Sequence, residues 1–436
     1  MPNLKTTTTR TSAITSAAPA TFAPQKTFEV GLNPRSVSVA DVNGDGKQEL
    51  VTANDGSNNV SVLLGDGRGS FAVQTTVAVG DSPSFVTVAD VNGDGKLDLV
   101  TANYEDNVSV LLGDGRGNFA APTTFAVGKN PGSVSVADMN GDGNADVVTA
   151  NAWSNNVSLL LGDGKGNFAP QATFALGDTP LSMSVADVSG DGNADVITAS
   201  NLLLGDGKGS FAPQTTLPQT TFAVGHNPRS VSVADVNGDG NADVVTTRFN
   251  VSNVSVLLGD GWGNFAAPTT FAVVDAPRSV SVADVNGDGK LDLVTANYED
   301  NVSVLLGDGR GNFAPPTTFA VGSLPYSVSM ADVNGDGKQD LVTANVFSDN
   351  VSVLLNTRHN NSSKGNVTIT GILKKNKTLT INNTLTDTDG LGTIGYQWQS
   401  NNVDISNATQ STYVLTQSDV GKIIGVRASY TDKLGT

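Results

Sequence analysis

The 436-residue chain has no cysteine and only two histidines, His226 and His359. The first absence excludes disulfides, thiolate nucleophiles and thiolate metal sites. The second leaves two isolated histidines, one of them in the linker, and a lone loop histidine is ordinarily structural or solvated rather than catalytic. No run of 18 apolar residues occurs, so no membrane-spanning helix is predicted. The first 21 residues, rich in Thr, Ser and Ala with Lys5 and Arg10, lack the apolar centre of a signal peptide and read as disordered. Bases are scarce as well: 25 against 42 acids, a net charge of −17. That sign argues against nucleic acid as a partner.

What is abundant is one nine-residue pattern. Asp-Val-Asn-Gly-Asp-Gly-Lys-Leu-Asp, complete at Asp90, recurs with variations from Asp41, Asp90, Asp138, Asp187, Asp235, Asp284 and Asp332, spaced alternately by 49 and 48 residues. Oxygen-bearing side chains fall at positions 1, 3, 5 and 9 and glycines at 4 and 6. A short loop wraps a hard cation in this way: alternate side chains turn inward, glycine allows the sharp turn, and the position-7 carbonyl supplies a further oxygen. The ligand sets expected are Asp41, Asn43, Asp45, Lys47 and Glu49; Asp90, Asn92, Asp94, Lys96 and Asp98; Asp138, Asn140, Asp142, Asn144 and Asp146; Asp187, Ser189, Asp191, Asn193 and Asp195; Asp235, Asn237, Asp239, Asn241 and Asp243; Asp284, Asn286, Asp288, Lys290 and Asp292; and Asp332, Asn334, Asp336, Lys338 and Asp340, each seventh-position residue through its carbonyl. The ion expected is Ca2+, up to seven.

Three calcium loops of similar composition are excluded. An EF-hand or dockerin loop needs an acid at position 12, where this chain has Thr52 and Thr101 followed by strand-like sequence. Tandem nonapeptide repeats would recur every nine residues. The alternative is a plain Gly/Asn/Asp turn with no metal. Three carboxylates in each of seven loops make 21 of the 42 acids, and without a cation they would only repel one another. Seven divalent ions would carry +14 and leave a net charge of −3.

Around each loop the sequence alternates as strands do. From Ser133 it reads Ser-Val-Ser-Val-Ala, the acidic loop, Asp146-Val-Val-Thr-Ala-Asn, a variable turn, Asn156-Val-Ser-Leu-Leu-Leu, Gly162-Asp-Gly-Lys-Gly-Asn-Phe and Ala-Thr-Phe-Ala-Leu-Gly. Four short strands, A to D, in about 48 residues and repeated, predict a propeller blade. The seventh unit stops after strand C, while an orphan D strand stands at residues 22–31. The orphan is expected to complete the last blade, giving seven blades and no open edge.

The Gly-x-Phe-Ala-Pro and Phe-Ala-Val-Gly segments, with Asp-x-Asn-x-Asp-Gly-x-x-Asp between strands A and B, resemble FG-GAP/VCBS repeats and the β-propeller of integrin α subunits. The resemblance implies calcium in the A–B loop, held by positions 1, 3, 5 and 9. Two sites depart from its pattern and should bind more weakly: Glu49 is a methylene longer than aspartate, and Ser189 is a shorter ligand than asparagine. Blade 4 departs further, with its B–C hairpin cut to Ala199-Ser-Asn201 and five residues, 217–221, added near strand D.

The chain is therefore divided into a disordered segment 1–21, a propeller 22–356, a linker 357–365 and an all-β module 366–436. In the last, Tyr396-Gln-Trp398 reads as a central strand with a buried tryptophan. That strand, the Thr-Asp-Thr-Asp-Gly-Leu-Gly run and Leu-Thr-Gln-Ser-Asp-Val-Gly-Lys resemble bacterial immunoglobulin-like modules, though without the cysteine pair of antibody domains.

Antiparallel strands gather the A–B and C–D turns at one end of every blade. The B–C and D–A turns gather at the other, where sequence varies. The residue after each D–A proline should rim the central channel: Arg35, Ser84, Gly132, Leu181, Arg229, Arg278 and Tyr326. The B–C turns carry Tyr104, Trp153, Phe249, Tyr298 and Phe347. Arg35, Arg229, Arg278, Tyr326 and Trp153 are the residues expected to bind a protein or glycan ligand. Segments 91–120 and 285–314 are identical, which weighs against tailored roles for Tyr104 and Tyr298. The Asn-Val-Ser triplets fit glycosylation acceptors but also simply begin strand C. No catalytic constellation is evident. The expectation is a monomeric extracellular or cell-surface adhesion module, the alternative a polysaccharide lyase or dehydratase working at the channel mouth.

Overall fold

The computed structural model describes residues 20–176, 178–211, 228–248, 251–357, 365–386, 393–401 and 403–429. The segment 1–19, the insertion at 217–221 with strand D of blade 4, Phe249, both histidines, linker residues 358–364 and the run 387–392 lie outside them.

The protein is all-β, with a seven-bladed propeller as its larger unit. Strands A, B, C and D of blade 1 are Pro34–Ala40, Glu49–Asn54, Asn59–Leu63 and Thr75–Ala78, antiparallel in that order. Blades 2, 3, 5 and 6 repeat this four-stranded arrangement. Strand A alternates because its two faces differ: valines such as Val37 enter the hydrophobic cluster with the preceding blade, while serines point to the next. There the Ser38 hydroxyl donates to the Val86 carbonyl, 2.9 Å away. Small serines let the inner strands approach one another near the axis.

Strand B is buried along its whole length in blades 1, 2, 3, 6 and 7. It carries a repeated polar thread among apolar neighbours. Thr101 Oγ1 donates to Asn103 Oδ1 at 2.9 Å, and Asn103 Nδ2 donates to Asn107 Oδ1 at 2.8 Å and Ser109 Oγ at 2.9 Å. The Asn-Val-Ser triplet thus supplies partners that a buried Thr-x-Asn needs. The Gly80 N–H, arriving from strand D of blade 1, closes the thread on Ser109 Oγ at 3.0 Å.

The ring closes as the sequence predicts. Lys26–Glu29 pairs with Asn350–Leu354 as the fourth strand of blade 7. Phe22 forms an isolated bridge to Asn356, the relation that Phe71, Phe119, Phe168, Phe211, Phe265 and Phe313 have to the glycine opening each C–D turn. The inner strands neighbour one another in cyclic order, Pro325–Ala331 lying against Pro34–Ala40. Seven hydrophobic clusters fill the seven blade interfaces, the closing one joining Val333, Val342 and Val351 to Val37, Leu50 and Leu63. Edge-to-face phenylalanines repeat across the interfaces: Phe125 with Phe168 at 5.3 Å, Phe28 with Phe71 at 5.2 Å, and Phe22 with Phe319 at 5.0 Å.

Blade 4 is reduced, as expected. Its described strands are Met183–Ala186, Asp195–Thr198 and Leu202–Leu203, and its B–C hairpin is a tight turn with the Thr198 N–H donating to the Asn201 carbonyl at 2.8 Å.

The smaller unit has two three-stranded sheets, one of Val367–Gly371, Thr378–Asn383 and Thr412–Val414, the other of Gly395–Ser400, Val403–Asp404 and Ile424–Ser429. Trp398 is fully buried between Leu379, Ile381, Leu415 and Ile424, as its sequence context predicts. Its Nε1 donates to the Gln410 carbonyl at 2.9 Å, and its ring stacks on Tyr413.

Candidate metal loops and channel mouth

Each A–B loop is preformed by its own side chains. In blade 1, Asp41 Oδ1 accepts from the Gly44 N–H at 2.7 Å and Oδ2 from the Gly46 N–H at 2.8 Å. Asn43 Oδ1 accepts from the Asp45 N–H at 2.8 Å, and Asp45 Oδ1 from the Lys47 N–H at 2.9 Å. Gly44 and Gly46 have φ of 73° and 83°, the left-handed region where a Cβ is strained, and a Cβ at Gly46 would otherwise meet nothing. The glycines serve the turn, not a crowded neighbour.

The ninth residue behaves differently from the other acids. Its side chain is fully buried and accepts one backbone N–H from loop position 2 and one from the start of the C–D turn. Asp98 takes Val91 N at 2.9 Å and Gly113 N at 2.7 Å; Asp146 takes Met139 N at 2.9 Å and Gly162 N at 2.8 Å. The pair recurs in Asp195, Asp243 and Asp292, and in Asp340 with Asn356 as the second donor. This acid ties the A–B loop to the turn after strand C. Sequence reading finds the acid but not this second task, which becomes visible only once strand C is placed beside strand B. Burial pushes the carboxyls of Asp98, Asp146, Asp195, Asp243 and Asp340 above their ordinary range, and the loop's fifth aspartate adds to the effect, joined by the first in all of these loops but that of Asp195; Asp340 rises to about 6.

The two departures have structural counterparts. Glu49 still holds Val42 N at 2.9 Å, but Gly65 N is 3.4 Å away, and Asn43 Nδ2 turns to Glu49 Oε1 at 3.2 Å. Ser189 directs its hydroxyl to Asp187, and its N–H joins that of Val188 in donating to Asp195.

The donor set fits a hard cation in kind and number. Positions 1, 3 and 5 present carboxylate and amide oxygens whose backbone bonds leave lone pairs unused. A positive group already sits at the loops of blades 1, 2 and 7, where Lys47, Lys96 and Lys338 place Nζ 3.1, 3.3 and 3.2 Å from Asp45, Asp94 and Asp336. Among the described residues no three acids converge on one point, so the side chains would have to turn inward around a cation.

At the opposite end, the residues after the D–A prolines meet at the channel mouth as the repeat register predicts. Arg35, Ser84, Gly132, Leu181, Arg229, Arg278 and Tyr326 line one cavity, with Ser133, Ser182, Ser230, Ser279 and Ser327 beneath them. Tyr326 is the hub. Its hydroxyl accepts from Arg35 Nη1 at 3.3 Å and Arg229 Nη2 at 3.4 Å, and the guanidinium carbons of Arg35, Arg229 and Arg278 lie 5.3, 5.6 and 5.0 Å from its ring centre. Burial would raise its phenol, but the three arginines outweigh burial and hold it below the ordinary tyrosine range. Arg35 is anchored by Asp55 at 2.9 Å.

The copied tyrosines join this cluster. The Tyr104 hydroxyl accepts from Arg35 Nη1 of the neighbouring blade at 3.4 Å, while Tyr298 lies under Arg278 of its own blade at 5.1 Å. Identical segments thus take different partners because the residue after the D–A proline differs. Burial pushes the Tyr104 phenol up to about 12. Trp153 is 76 % exposed on its B–C turn and is not among the residues lining the mouth.

Comparison with known proteins supports the repeat reading. An FG-GAP-like repeat matches residues 41–101, 90–149, 138–198, 199–246, 243–295 and 284–343, and an FG-GAP repeat matches 324–369. No curated protein sequence matches. Among solved structures the chain is similar to BBS1N, determined in complex with ARL6DN, at 12% identity and a TM-score of 0.56 over 78% of this chain and 98% of that one. It is also similar to virginiamycin B lyase from Staphylococcus aureus, at 12% identity and a TM-score of 0.50 over 77% and 99%. Seven blades in register, closed by a strand from the other end of the chain and matched by the repeat over well more than half its length, place this chain in the FG-GAP repeat family.

Proposed function

We propose that the propeller is a calcium-stabilised extracellular adhesion module that binds a protein or glycan ligand at its B–C/D–A end. The observation that carries this reading is the contrast between the two ends. Seven near-identical acidic loops occupy one, and a single non-repeated cluster of three arginines around Tyr326 occupies the other. A repeat array that varies most there concentrates specificity there. Calcium would be held by the side chains at positions 1, 3 and 5 and the position-7 carbonyl, with the buried ninth acid tying the loop behind them, at an affinity of roughly 10⁻⁴ to 10⁻³ M, suited to extracellular levels. It would neutralise the acids and couple loop order to folding. We take the small C-terminal domain as an immunoglobulin-like spacer.

The test is a glycan and protein array probed with the whole chain in millimolar calcium, repeated with Trp153→Ala and Phe347→Ala and with an Arg229→Ala/Arg278→Ala pair. Binding reduced by any of these supports the reading. Turnover of polyuronates that disappears with the arginines would replace it with the lyase-type alternative, for which the unusual Tyr326 environment is the one favouring feature. Binding unaffected by all of them would place recognition elsewhere.

A further inference from the structure

The channel mouth carries positive charge on a protein of net charge −17. Three guanidiniums face one ring, and the charges of Arg229 and Arg35 add to burial in holding the Arg278 guanidinium below its ordinary range. Asp55 offsets one of these charges, and guanidiniums gathered this closely favour an anion entering among them. Arg35 Nε is buried with no hydrogen-bond partner. Serine hydroxyls line the same cavity.

A second feature adjoins the first. Tyr298, which touches Arg278, also lines a groove with Glu299, Asp300, Ser323, Leu324 and Phe347. Phe347 is 69 % exposed there and Tyr298 42 %. Exposed aromatic faces beside fixed cations suit a ring that is apolar on its face and anionic at its edge. A flexible acidic peptide would use the charge but not the flat faces. Glu299 and Asp300 border the groove and oppose a continuous polyanion, so charge is favoured at the mouth and neutral surface beyond it.

We infer that the mouth and this groove form one subsite for an acidic saccharide, its carboxylate held by Arg229 and Arg278 beside Tyr326 and an adjoining neutral sugar ring against Tyr298 and Phe347. This rests on the reading that the B–C/D–A end binds ligand, and narrows it to a class. Arg35 is committed to Asp55 and acts as a positioning residue for Tyr326.

The test is titration calorimetry on the full chain in millimolar calcium with three probes: an oligosaccharide alternating uronate and neutral sugar, its carboxyl-reduced counterpart, and an acidic peptide of equal charge. The uronate oligosaccharide should bind best, with an affinity that falls as salt rises. Arg229→Ala and Arg278→Ala should each weaken it by roughly 10- to 100-fold, the range for a charged hydrogen bond, and Phe347→Ala should weaken both sugars. Thermal midpoints identify any misfolded variant, and the salt dependence of the unaltered chain stands without variants. Equal binding of the reduced sugar, preference for the peptide, or affinity indifferent to the arginines overturns the inference. Array ligands lost with Trp153→Ala but indifferent to Arg229, Arg278 and Phe347 would leave the binding-module reading intact while removing this one; no binding to any probe or array would remove both.

Discussion

Two kinds of acid share each A–B loop. Asp98 is fully buried and answers two backbone N–H groups, whereas Asp94 is exposed and answers its own loop and Lys96. Asp98→Ala should therefore cost about 2–5 kcal/mol by stranding two buried donors, with or without calcium. Asp94→Ala should matter only when calcium is present. Denaturant melts of both variants in calcium and in chelator check this, and equal calcium dependence for the two would contradict it. The pH response follows from the same geometry. A carboxyl raised in the fold, as Asp340 is to about 6 against an ordinary 3.8, takes up its proton in the folded chain first. Stability in chelator should thus rise as pH falls from 7 through about 6, the gain being complete near the ordinary value. The exposed acids held low, such as Asp45 and Asp94, withdraw their contribution only below that value. With calcium bound the trend should reverse, since protons then compete with the ion. Thermal midpoints between pH 7 and 4.5 in both conditions read out the two signs. The nine-residue spacing reveals every acid in the loops. It does not separate ligand-like from tying acids, because that distinction depends on the turn after strand C, 15 residues downstream of Asp98.

Closure of the ring belongs to the scale of elements. The closing strand Lys26–Glu29 satisfies the open edge of Asn350–Leu354, and Phe22 and Phe28 supply the aromatic contacts that other blades draw from their own C–D turn and strand D. Removing residues 1–31 should expose that edge, lower the melting midpoint and drive association, seen by size-exclusion chromatography. A monomeric, equally stable truncated chain would contradict the closure. Phe28→Ala, which leaves the strand in place, should cost about 3 kcal/mol. This element is legible in sequence because a missing strand at one end of the array matches an orphan at the other. The shortened hairpin Ala199-Ser-Asn201 is legible for the same reason: it interrupts a strict period. The cluster at the mouth is only half legible. Register places Arg35, Arg229, Arg278 and Tyr326 at one depth, yet nothing local to Tyr104 shows that it meets Arg35 of the neighbouring blade.

For the whole molecule the governing quantity is charge. Twenty-one acids, three in each of seven loops, are set around one end of the ring, and buried ones such as Asp98 and Asp340 are pushed upward by desolvation and by their neighbours. The far end draws its arginines together. Each end mixes the signs locally, Lys47 beside Asp45 at the loops and Asp55 beside Arg35 at the mouth, but the acids gathered in threes and the arginines gathered around one ring lie at opposite ends. Occupation of the loops by divalent ions would remove most of the −17 and convert a repulsive rim into a set of cross-links. The direct measurement is the thermal midpoint of the full chain at neutral pH in millimolar calcium and again in excess chelator. A midpoint many degrees higher in calcium is predicted, and identical midpoints in the two conditions would contradict the account.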